Sequence, residues 1–365
     1  MQVSVIIRSR DEADRLRLTL TALAQQTVPP EVIVVNDAAA DHTTEVLAEA
    51  AHWEAAHWLS LRAIHHPAPR GRSAATNAGA AAATGDILLF LDGDTLAHPN
   101  LVARHAEAHG VAGKLVARGE TFHIRNTRFL QNPETATPRP GEEDRIARLA
   151  PDERARLRVT RDEILNDFAS IERRAEPGVY PGAGPRRLYE LEMDALRHHA
   201  DCTVLWAAAS GSNLSVKRDD FLRVGGFRDL DLIEQRELAL RLCLDGARMV
   251  PVDQGRTYHL THRSGWRDPL QDAAWEQMFY NAHPILAVKL LSVFWAGLSA
   301  RSAVPPEAQI ASLPALELAA RGDNGIDYDA VRRLIPGLME LTRVGQDRAP
   351  TGRRSSNKAN ALGSG

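Results

Sequence analysis

Apolar and polar positions alternate in blocks along the first hundred residues. Short apolar runs rich in valine, isoleucine and leucine predict buried strands, and the stretches between them space leucine and alanine at helical intervals. Such alternation is typical of a parallel sheet covered on both faces. The predicted strands are residues 3–7, 31–35, 61–65 and 87–91, and the predicted helices are residues 11–26, 41–51 and 73–83.

Polar residues follow three of these strands directly, at residues 8–12, 36–41 and 92–94. In open α/β sheets, ligands bind outside the carboxyl ends of the strands. The three polar segments are therefore expected to share one edge of the sheet, which makes that edge the candidate binding site.

The D-x-D pair Asp92 and Asp94 follows the most apolar strand, ILLFL. In an extended segment, residues i and i+2 point to the same side. Two carboxylates on one side suit Mn²⁺ or Mg²⁺. Asp-Gly is also a turn signal, so a solvated turn is the alternative for the pair taken alone. The position after a buried strand favours the metal interpretation, because charges there need partners.

Two further segments carry candidate ligand contacts. Asp37 follows the strand EVIVV, where a carboxylate can accept hydrogen bonds from a base or ribose. Arg70 and Arg72 stand just before an alanine-rich helix, and arginine beside a helix N-terminus suits an anion. Asn77 lies within that helix and either faces the cleft or caps a neighbouring loop. The alternative is a turn or N-cap role for Asp37 and a solvated loop for the two arginines.

The chain changes character after residue 126. Residues 126–197 combine proline, glycine and many charges, which predicts exposed helices and loops inserted between sheet elements. From residue 203 the chain is apolar again, with a predicted helix at 233–244 and helical sequence at 275–300. The tail from residue 345 has almost no apolar content and is predicted to be disordered.

Composition narrows the class of protein. The chain has 365 residues and a net charge of −3, which excludes a protein built mainly to coat nucleic acid. Its two cysteines are predicted core residues and favour a reducing cytoplasm. The apolar stretch 284–300 is short for a membrane span and contains Lys289, so it predicts a buried or amphipathic helix, with peripheral membrane contact left open.

Several motifs, in this order and spacing, resemble family 2 glycosyltransferases of the GT-A fold. The resemblance covers about residues 3–94 and 210–262. The segments that carry it are VSVIIRSRDE, IVVNDAAAD, GRSAATNAG, GDILLFLDGD, GSNLSVKRDDFLRVGGF, EQRELALRL and YHLTH.

This resemblance implies a Rossmann-like, mostly parallel sheet flanked by helices, with an inserted helical and loop region and a helical C-terminal extension. The expected GT-A domain is residues 1–265. The implied parts are a nucleotide-binding half at 1–110, an acceptor-side insertion at 126–200, an acceptor and catalytic half at 203–265, a helical extension at 266–344 and a disordered tail at 345–365.

The family's ligands imply roles for individual residues. The expected donor is a nucleoside-diphosphate sugar, a UDP-sugar before a GDP-sugar, and the expected cofactor is Mn²⁺ or Mg²⁺. Asp37 would bind the base, Asp92 the ribose or the metal, and Asp94 the cation, with His262 ahead of His259 to complete the metal shell. The other expected donor contacts are Arg8, Arg10, Glu12, Arg72 and Asn77.

The sequence departs from the family at the catalytic base. The aspartate of the family's E-D pair is Gln235 here, and an amide cannot take up a proton. Glu234 is one replacement, Asp231 or Asp229 another. A retaining mechanism, which needs no strong base, is a third solution, and a non-catalytic sugar-nucleotide-binding protein is the alternative function.

The acceptor side is less defined. The expected contacts are Trp206, Ser210, Gly211 and Asn213, and a glycan, a natural product or a protein side chain would each fit as acceptor. A dehydrogenase or a sugar nucleotidyltransferase is disfavoured, because the first strand is followed by RSRDEADRL rather than a glycine-rich loop.

Overall fold

The computed structural model describes residues 1–55, 60–177, 188–230, 232–262, 274–299, 302–338 and 341. Asp231 and the tail from residue 345, both subjects of sequence predictions, lie outside the described residues. Every helix in the described segments is too short or too polar to cross a membrane.

Strands and helices alternate through the first hundred residues as the pattern predicts. The strands are β1 (Val3–Ser9), β2 (Glu31–Asn36), β3 (Ser60–His65), β4 (Ile87–Asp92), β5 (Thr95–Ala97), β6 (Leu115–Ile124), β7 (Leu130–Asn132), β8 (Thr137–Pro138), β9 (Glu176–Pro177), β10 (Leu214–Lys217) and β11 (Arg248–Leu260).

Helices cover both faces of the sheet and continue to the end of the described chain. They are α1 (Ala13–Ala24), α2 (Thr43–Ala55), α3 (Arg72–Ala82), α4 (Leu101–Ala108), α5 (Glu143–Ala147), α6 (Pro151–Leu157), α7 (Arg161–Asn166), α8 (Phe168–Arg174), α9 (Leu188–His198), α10 (Arg218–Arg223), α11 (Glu234–Leu244), α12 (Ala274–Ala282), α13 (Leu286–Lys289), α14 (Leu291–Gly297), α15 (Leu313–Ala320) and α16 (Tyr328–Leu334). Short 3₁₀ helices span Arg125–Phe129, Leu205–Ala208 and Pro306–Ala308.

One large sheet organises the chain, in the order β3-β2-β1-β4-β10-β6-β11-β5, with β9 beside β6. The first four strands are parallel, whereas β10 runs antiparallel to both β4 and β6. This arrangement confirms the predicted α/β class, with a parallel first half and a mixed second half. The parallel half brings the carboxyl ends of β1, β2 and β4 to one edge.

Alternate side chains of the strands enter different cores, because successive residues of a strand point to opposite faces. Val5 and Ile7 of β1 pack with α1 and α2, whereas Ile6 packs with Ala80 of α3 on the other face. A Cβ on Gly79 would lie 2.6 Å from Ile6 Cγ2, so only glycine lets α3 approach β1 this closely.

The C-terminal helices share the second of these cores. Trp275, Phe279 and Phe294 are buried in one apolar cluster with Trp206 and Leu238. The predicted helical stretch 275–300 is divided into α12, α13 and α14. The predicted domain boundary at residue 265 stays a prediction. The C-terminal helices and α11, which lie on the two sides of that position, share this core.

Two buried histidines link α4 to the centre of the sheet. His105 Nε2 lies 2.7 Å from Asn213 Oδ1, and its Nδ1 lies 2.7 Å from Ser215 Oγ. His109 Nε2 reaches the same hydroxyl at 2.9 Å. Burial lowers the pKa of both histidines to about 4, since a charged imidazolium there would lose its hydration.

This pair predicts sensitivity to acid. In the unfolded chain a histidine binds its proton with a pKa of about 6.5, so between pH 6.5 and 4 the unfolded state binds more protons than the folded state. We expect the free energy of unfolding to fall as the pH falls through this window, by on the order of 3 kcal/mol for each histidine. Urea titrations at pH 7 and pH 4.5 measure the loss.

Two variants separate the contribution of these histidines to the loss of stability from that of titrating carboxylates. The double variant H105Q/H109Q should lose less stability between the two pH values than the wild type. H52Q, which changes an exposed histidine, should lose as much as the wild type. An equal loss in all three proteins would contradict the prediction.

Candidate functional site

The predicted polar segments meet at the carboxyl edge of the parallel strands. Arg8 is paired in register with Asp92, and Ser9 with Asn36. Asp37 continues directly from β2. Because β1, β2 and β4 are parallel, their end residues lie side by side, and the edge is lined by both carboxylates and guanidinium groups.

Asp94 meets two histidines from the other end of the chain. Short strand β5 runs antiparallel to β11, with Thr95 opposite His259. The Asp94 carboxylate is 3% exposed, and its Oδ2 lies 3.1 Å from His259 Nε2 and 2.8 Å from His262 Nε2. Burial alone would raise the pKa of Asp94, but the two histidines together hold it well below its ordinary value.

These three side chains form a group that could hold a metal ion. Their ligand atoms all lie within 4.8 Å of one another. One carboxylate and two imidazoles on one side of an ion leave its other positions open for a ligand. The donor set therefore fits a divalent transition metal, and the Nε2 protons that bridge the histidines to Asp94 mark the space such an ion would take.

The group differs from the predicted ligand set in two members. His259, the second choice from sequence, lies beside His262 in the group. Asp92 does not belong to it, because Asp92 Oδ1 is bound to Arg8 Nη2 at 2.7 Å. The ligand role predicted for Asp92 is thus not what this geometry favours, and its predicted donor role stays a prediction.

Glu12 is half-buried against the turn between the two aspartates. A Cβ on Gly93 would lie 2.3 Å from Glu12 Oε1, so a larger residue at this turn would displace the carboxylate. Burial, followed by the charges of Asp94 and Asp92, raises the pKa of Glu12 to about 8. With this pKa, Glu12 is mostly protonated at pH 7, so it adds little negative charge at the place where a cation would be bound.

The Asp37 carboxylate organises the loop in front of α3. It accepts hydrogen bonds from the backbone N–H groups of Arg70 and Gly71, at 2.8 and 2.9 Å, and from His66 Nδ1 at 2.7 Å. Burial opposes ionisation, but these hydrogen bonds outweigh it and lower the pKa of Asp37. Sequence reasoning missed His66, although its place directly after β3 is the same signal that singled out Asp37.

Glu234 begins helix α11 and is directed into an enclosed pocket. Its side chain is buried, with Oε2 lacking a hydrogen-bond partner among the described residues, and Gln235 Nε2 donates to Oε1 at 3.1 Å. Burial raises the pKa of Glu234, with Arg8 and Arg72 partly opposing the shift. The pocket is lined by Ile6, Arg8, Thr76, Phe90, Leu91, Gly211, Phe227, Glu234 and Gln235.

Three predicted contacts lie close to this pocket. Gly211 lines it directly, and a Cβ there would lie 3.2 Å from Gln235 Nε2. Ser210 is half-buried beside it, and Arg72 is exposed at the first residue of α3. Arg10 is exposed at the end of β1 and pairs with Asp11 at 3.6 Å.

Two residues predicted to contact the acceptor are buried in the fold. Trp206 is 2% exposed and packs edge-on against Phe279, so no ring face is open to a sugar. Asn213 is fully buried, and its amide donates to the carbonyl of Gly255 while accepting from His105. This burial does not favour the acceptor roles predicted for Trp206 and Asn213, which stay predictions.

Asn77 also has its amide occupied. Its Nδ2 donates to the Phe227 carbonyl at 2.8 Å, and its Oδ1 accepts from the Phe227 N–H at 2.9 Å. This pairing caps the neighbouring loop, which was the alternative to a donor contact. The predicted contact from Asn77 would need this pairing to break.

The segment that builds most of this edge matches a known family model. Residues 4–168 match the model described as glycosyl transferase family 2. This match covers a little less than half of the chain. The family segment contains Asp37, Asp92 and Asp94, whereas Glu234, His259 and His262 lie beyond it.

Curated relatives match a part of the chain. Glycosyltransferase AglE of Haloferax volcanii is 34% identical over 105 residues, which are 28% of this chain and 33% of the relative. The succinoglycan biosynthesis protein ExoO of Rhizobium meliloti is 34% identical over 116 residues, which are 32% of each chain. The chain therefore spans about a third of the length of these curated relatives.

Solved structures of glycosyltransferases are remote neighbours of this chain. S. aureus TarS in complex with UDP-GlcNAc is 16% identical with a TM-score of 0.45, covering 80% of this chain and 67% of that chain. The mannosyltransferase PcManGT from Pyrobaculum calidifontis, in complex with GDP-Man and Mn²⁺, is 16% identical with a TM-score of 0.47, covering 92% of this chain and 83% of that chain.

Proposed function

We propose that this protein is a metal-dependent glycosyltransferase that moves a sugar from a nucleoside-diphosphate sugar to an acceptor hydroxyl. One observation carries the proposal: Asp94, His259 and His262 converge at the carboxyl edge of the parallel strands, next to the family 2 segment's other polar residues. A divalent cation held there would offset the charge that develops on the departing nucleoside diphosphate.

The donor would lie along the same edge. Asp37 and the loop it holds lie at the end of β2, where a base or ribose would be bound, and Arg8 and Arg72 bring positive charge toward the diphosphate. We propose a UDP-sugar first and a GDP-sugar second. The contacts of Arg10, Glu12 and Asp92 with the donor are part of the same proposal.

Glu234 is the proposed base. A general base must be ionised and must have an oxygen available to the acceptor hydroxyl. Its Oε2 has no partner in the described part of the chain, and its raised pKa makes the carboxylate a stronger base than an exposed glutamate. Gln235 occupies the family's usual base position and would orient Glu234 through its donated hydrogen bond.

The stereochemical outcome follows from this assignment. If Glu234 takes the acceptor proton, attack occurs from the side opposite the leaving group and the anomeric configuration is inverted. Asp231 remains the second choice as base, and retention the alternative in which no base is needed. NMR of the anomeric proton in the first product formed distinguishes inversion from retention.

Ser210 and Gly211 would line the acceptor side.

The ligand chemistry predicts which cation is preferred. Imidazole nitrogen binds manganese better than magnesium, because magnesium prefers oxygen ligands and keeps its waters. With two imidazoles in the group, Mn²⁺ should support donor binding better than Mg²⁺ by about tenfold or more in Kd.

A donor screen by thermal shift tests the function. With UDP-sugars at a hundredfold excess over Kd, Mn²⁺ should add about 5 °C to the melting temperature, and Mg²⁺ clearly less. Slow donor hydrolysis without acceptor should accompany binding. A shift without hydrolysis or transfer would favour the non-catalytic binding protein that Gln235 suggests, and no shift with any sugar nucleotide would contradict both functions.

A further inference from the structure

We propose that Arg15 and Thr19 of helix α1 are positioning residues that hold the two metal-ligand segments in register. The Arg15 guanidinium is buried and donates through Nε to the carbonyl of Leu260 at 3.3 Å. Leu260 follows His259 directly and precedes His262 by two residues. Arg15 therefore binds the backbone between His259 and His262, the two histidines of the possible metal site. This inference rests on the metal site of the proposed function.

The same guanidinium is fixed by three more carbonyls from a second segment. Nη1 donates to Gln131 at 3.0 Å, and Nη2 donates to Leu130 at 2.9 Å and Thr127 at 3.3 Å. A planar group with five donors can satisfy such a set, whereas an ammonium group on a flexible stem cannot reproduce its directions. The carbonyls of the inserted region thus hold the Arg15 guanidinium in its position against β11.

Thr19 holds the other metal-ligand segment, the one that contains Asp94. Its hydroxyl donates to the carbonyl of Gly93 at 3.0 Å, between Asp92 and Asp94. Residues four apart in a helix lie on the same face, so Arg15 and Thr19 face the site together. The two gripped segments also bond to each other, because the Leu260 N–H donates to the Asp94 carbonyl at 2.8 Å.

A second anchor acts next to Leu260. Thr127, whose carbonyl accepts from Arg15, donates through its hydroxyl to the Thr261 carbonyl at 3.0 Å. The backbone from Leu260 to Thr261 is therefore held at consecutive peptide groups just before His262. Groups that orient metal ligands without touching the ion typically change metal affinity by about 10- to 100-fold when they are altered.

The chain offers matched variants for the test. R15K keeps the charge but loses the fork geometry, and R332K makes the same change at a buried arginine that donates to Glu276 and to the Lys289 carbonyl. T19V removes the hydroxyl that reaches Gly93. T21V makes the same change two residues on, where the buried hydroxyl donates, among the residues that the structure describes, to the Arg17 carbonyl of its own helix.

The first measurement is the Kd for Mn²⁺ alone, from the EPR signal of free Mn²⁺ with full-length protein and no substrate. We expect R15K to raise the Kd by about 10- to 100-fold and T19V by about 3- to 10-fold. R332K and T21V should stay within about twofold of the wild type, at a temperature where urea titration confirms that all variants are folded.

The second measurement does not depend on the metal. In the metal-free protein, the Nε2 protons of His259 and His262 are bonded to Asp94 and should give downfield NMR signals. These signals should be lost or shifted in R15K and T19V and retained in both controls. Unchanged histidine signals in R15K and T19V would overturn the positioning role, whatever the Mn²⁺ data show. A wild type with these signals but no Mn²⁺ binding would overturn the metal site of the proposed function instead.

Discussion

Replacement of Asp94 by asparagine is expected to abolish the Mn²⁺-dependent thermal shift and to lower kcat/KM with Mn²⁺ by at least about 100-fold, which corresponds to about 3 kcal/mol. Asp94 is the only carboxylate of the group, and its Oδ2 is the atom that both histidines reach. Asparagine keeps the shape of the side chain but removes its charge. A neutral amide oxygen is a weaker ligand for a divalent cation.

The matched control for this prediction is D92N. Asp92 is bound to Arg8 and stands apart from the group, so D92N should keep the Kd for Mn²⁺ within a few-fold while it weakens donor binding. Isothermal titration with Mn²⁺ alone, followed by donor in the presence of Mn²⁺, separates the two effects. If D92N abolishes Mn²⁺ binding as completely as D94N, both aspartates are ligands and the assignment made from the geometry is wrong.

Replacement of Glu234 by glutamine is expected to lower kcat by about 10²- to 10⁴-fold, the usual contribution of a general base. Donor and Mn²⁺ affinity should change little, because the amide keeps the size of the side chain and Glu234 lies outside the metal group. In the wild type, the rate should rise with pH through a pKa above that of an exposed glutamate, since the base acts only when ionised and burial raises its pKa. That acidic limb should be absent from E234Q.

The control for the base is Q235A. It retains the Glu234 carboxylate and removes only the hydrogen bond from Gln235, so kcat should stay within about tenfold of the wild type. A fall in kcat that is larger for Q235A than for E234Q would mean that the amide position is the important one, as in a retaining mechanism. An E234Q enzyme with wild-type kcat would exclude Glu234 as the base.

The sequence pattern was sufficient to predict the parallel first half of the fold. Strands β1 to β4 and helices α1 to α3 lie where apolar runs and helical spacing predict them. The parallel register also places Arg8 beside Asp92, as the common edge requires. These features follow from local periodicity and from the rule that ligands meet the carboxyl ends of parallel strands, so no long-range information is needed.

The residues predicted to contact the acceptor show what residue type alone does not reveal. Trp206 and Asn213 have the residue types of a sugar site, yet both are buried parts of the fold. Residue type reports what a side chain can do, whereas burial depends on what other segments cover it. Trp206 is covered by α12, whose Phe279 lies 73 positions later in the chain, and a single sequence does not state that contact.

By itself the sequence determined the α/β class, and it predicted the sheet edge of the candidate site and most of the residues there. Only the tertiary structure decided which aspartate meets the histidines. Arg8 takes Asp92 through the β1–β4 register, and the reversal into β5 turns Asp94 toward β11. Residues 94 and 262 are far apart in the sequence, so their meeting depends on strand order and register, which are set by packing of the whole sheet.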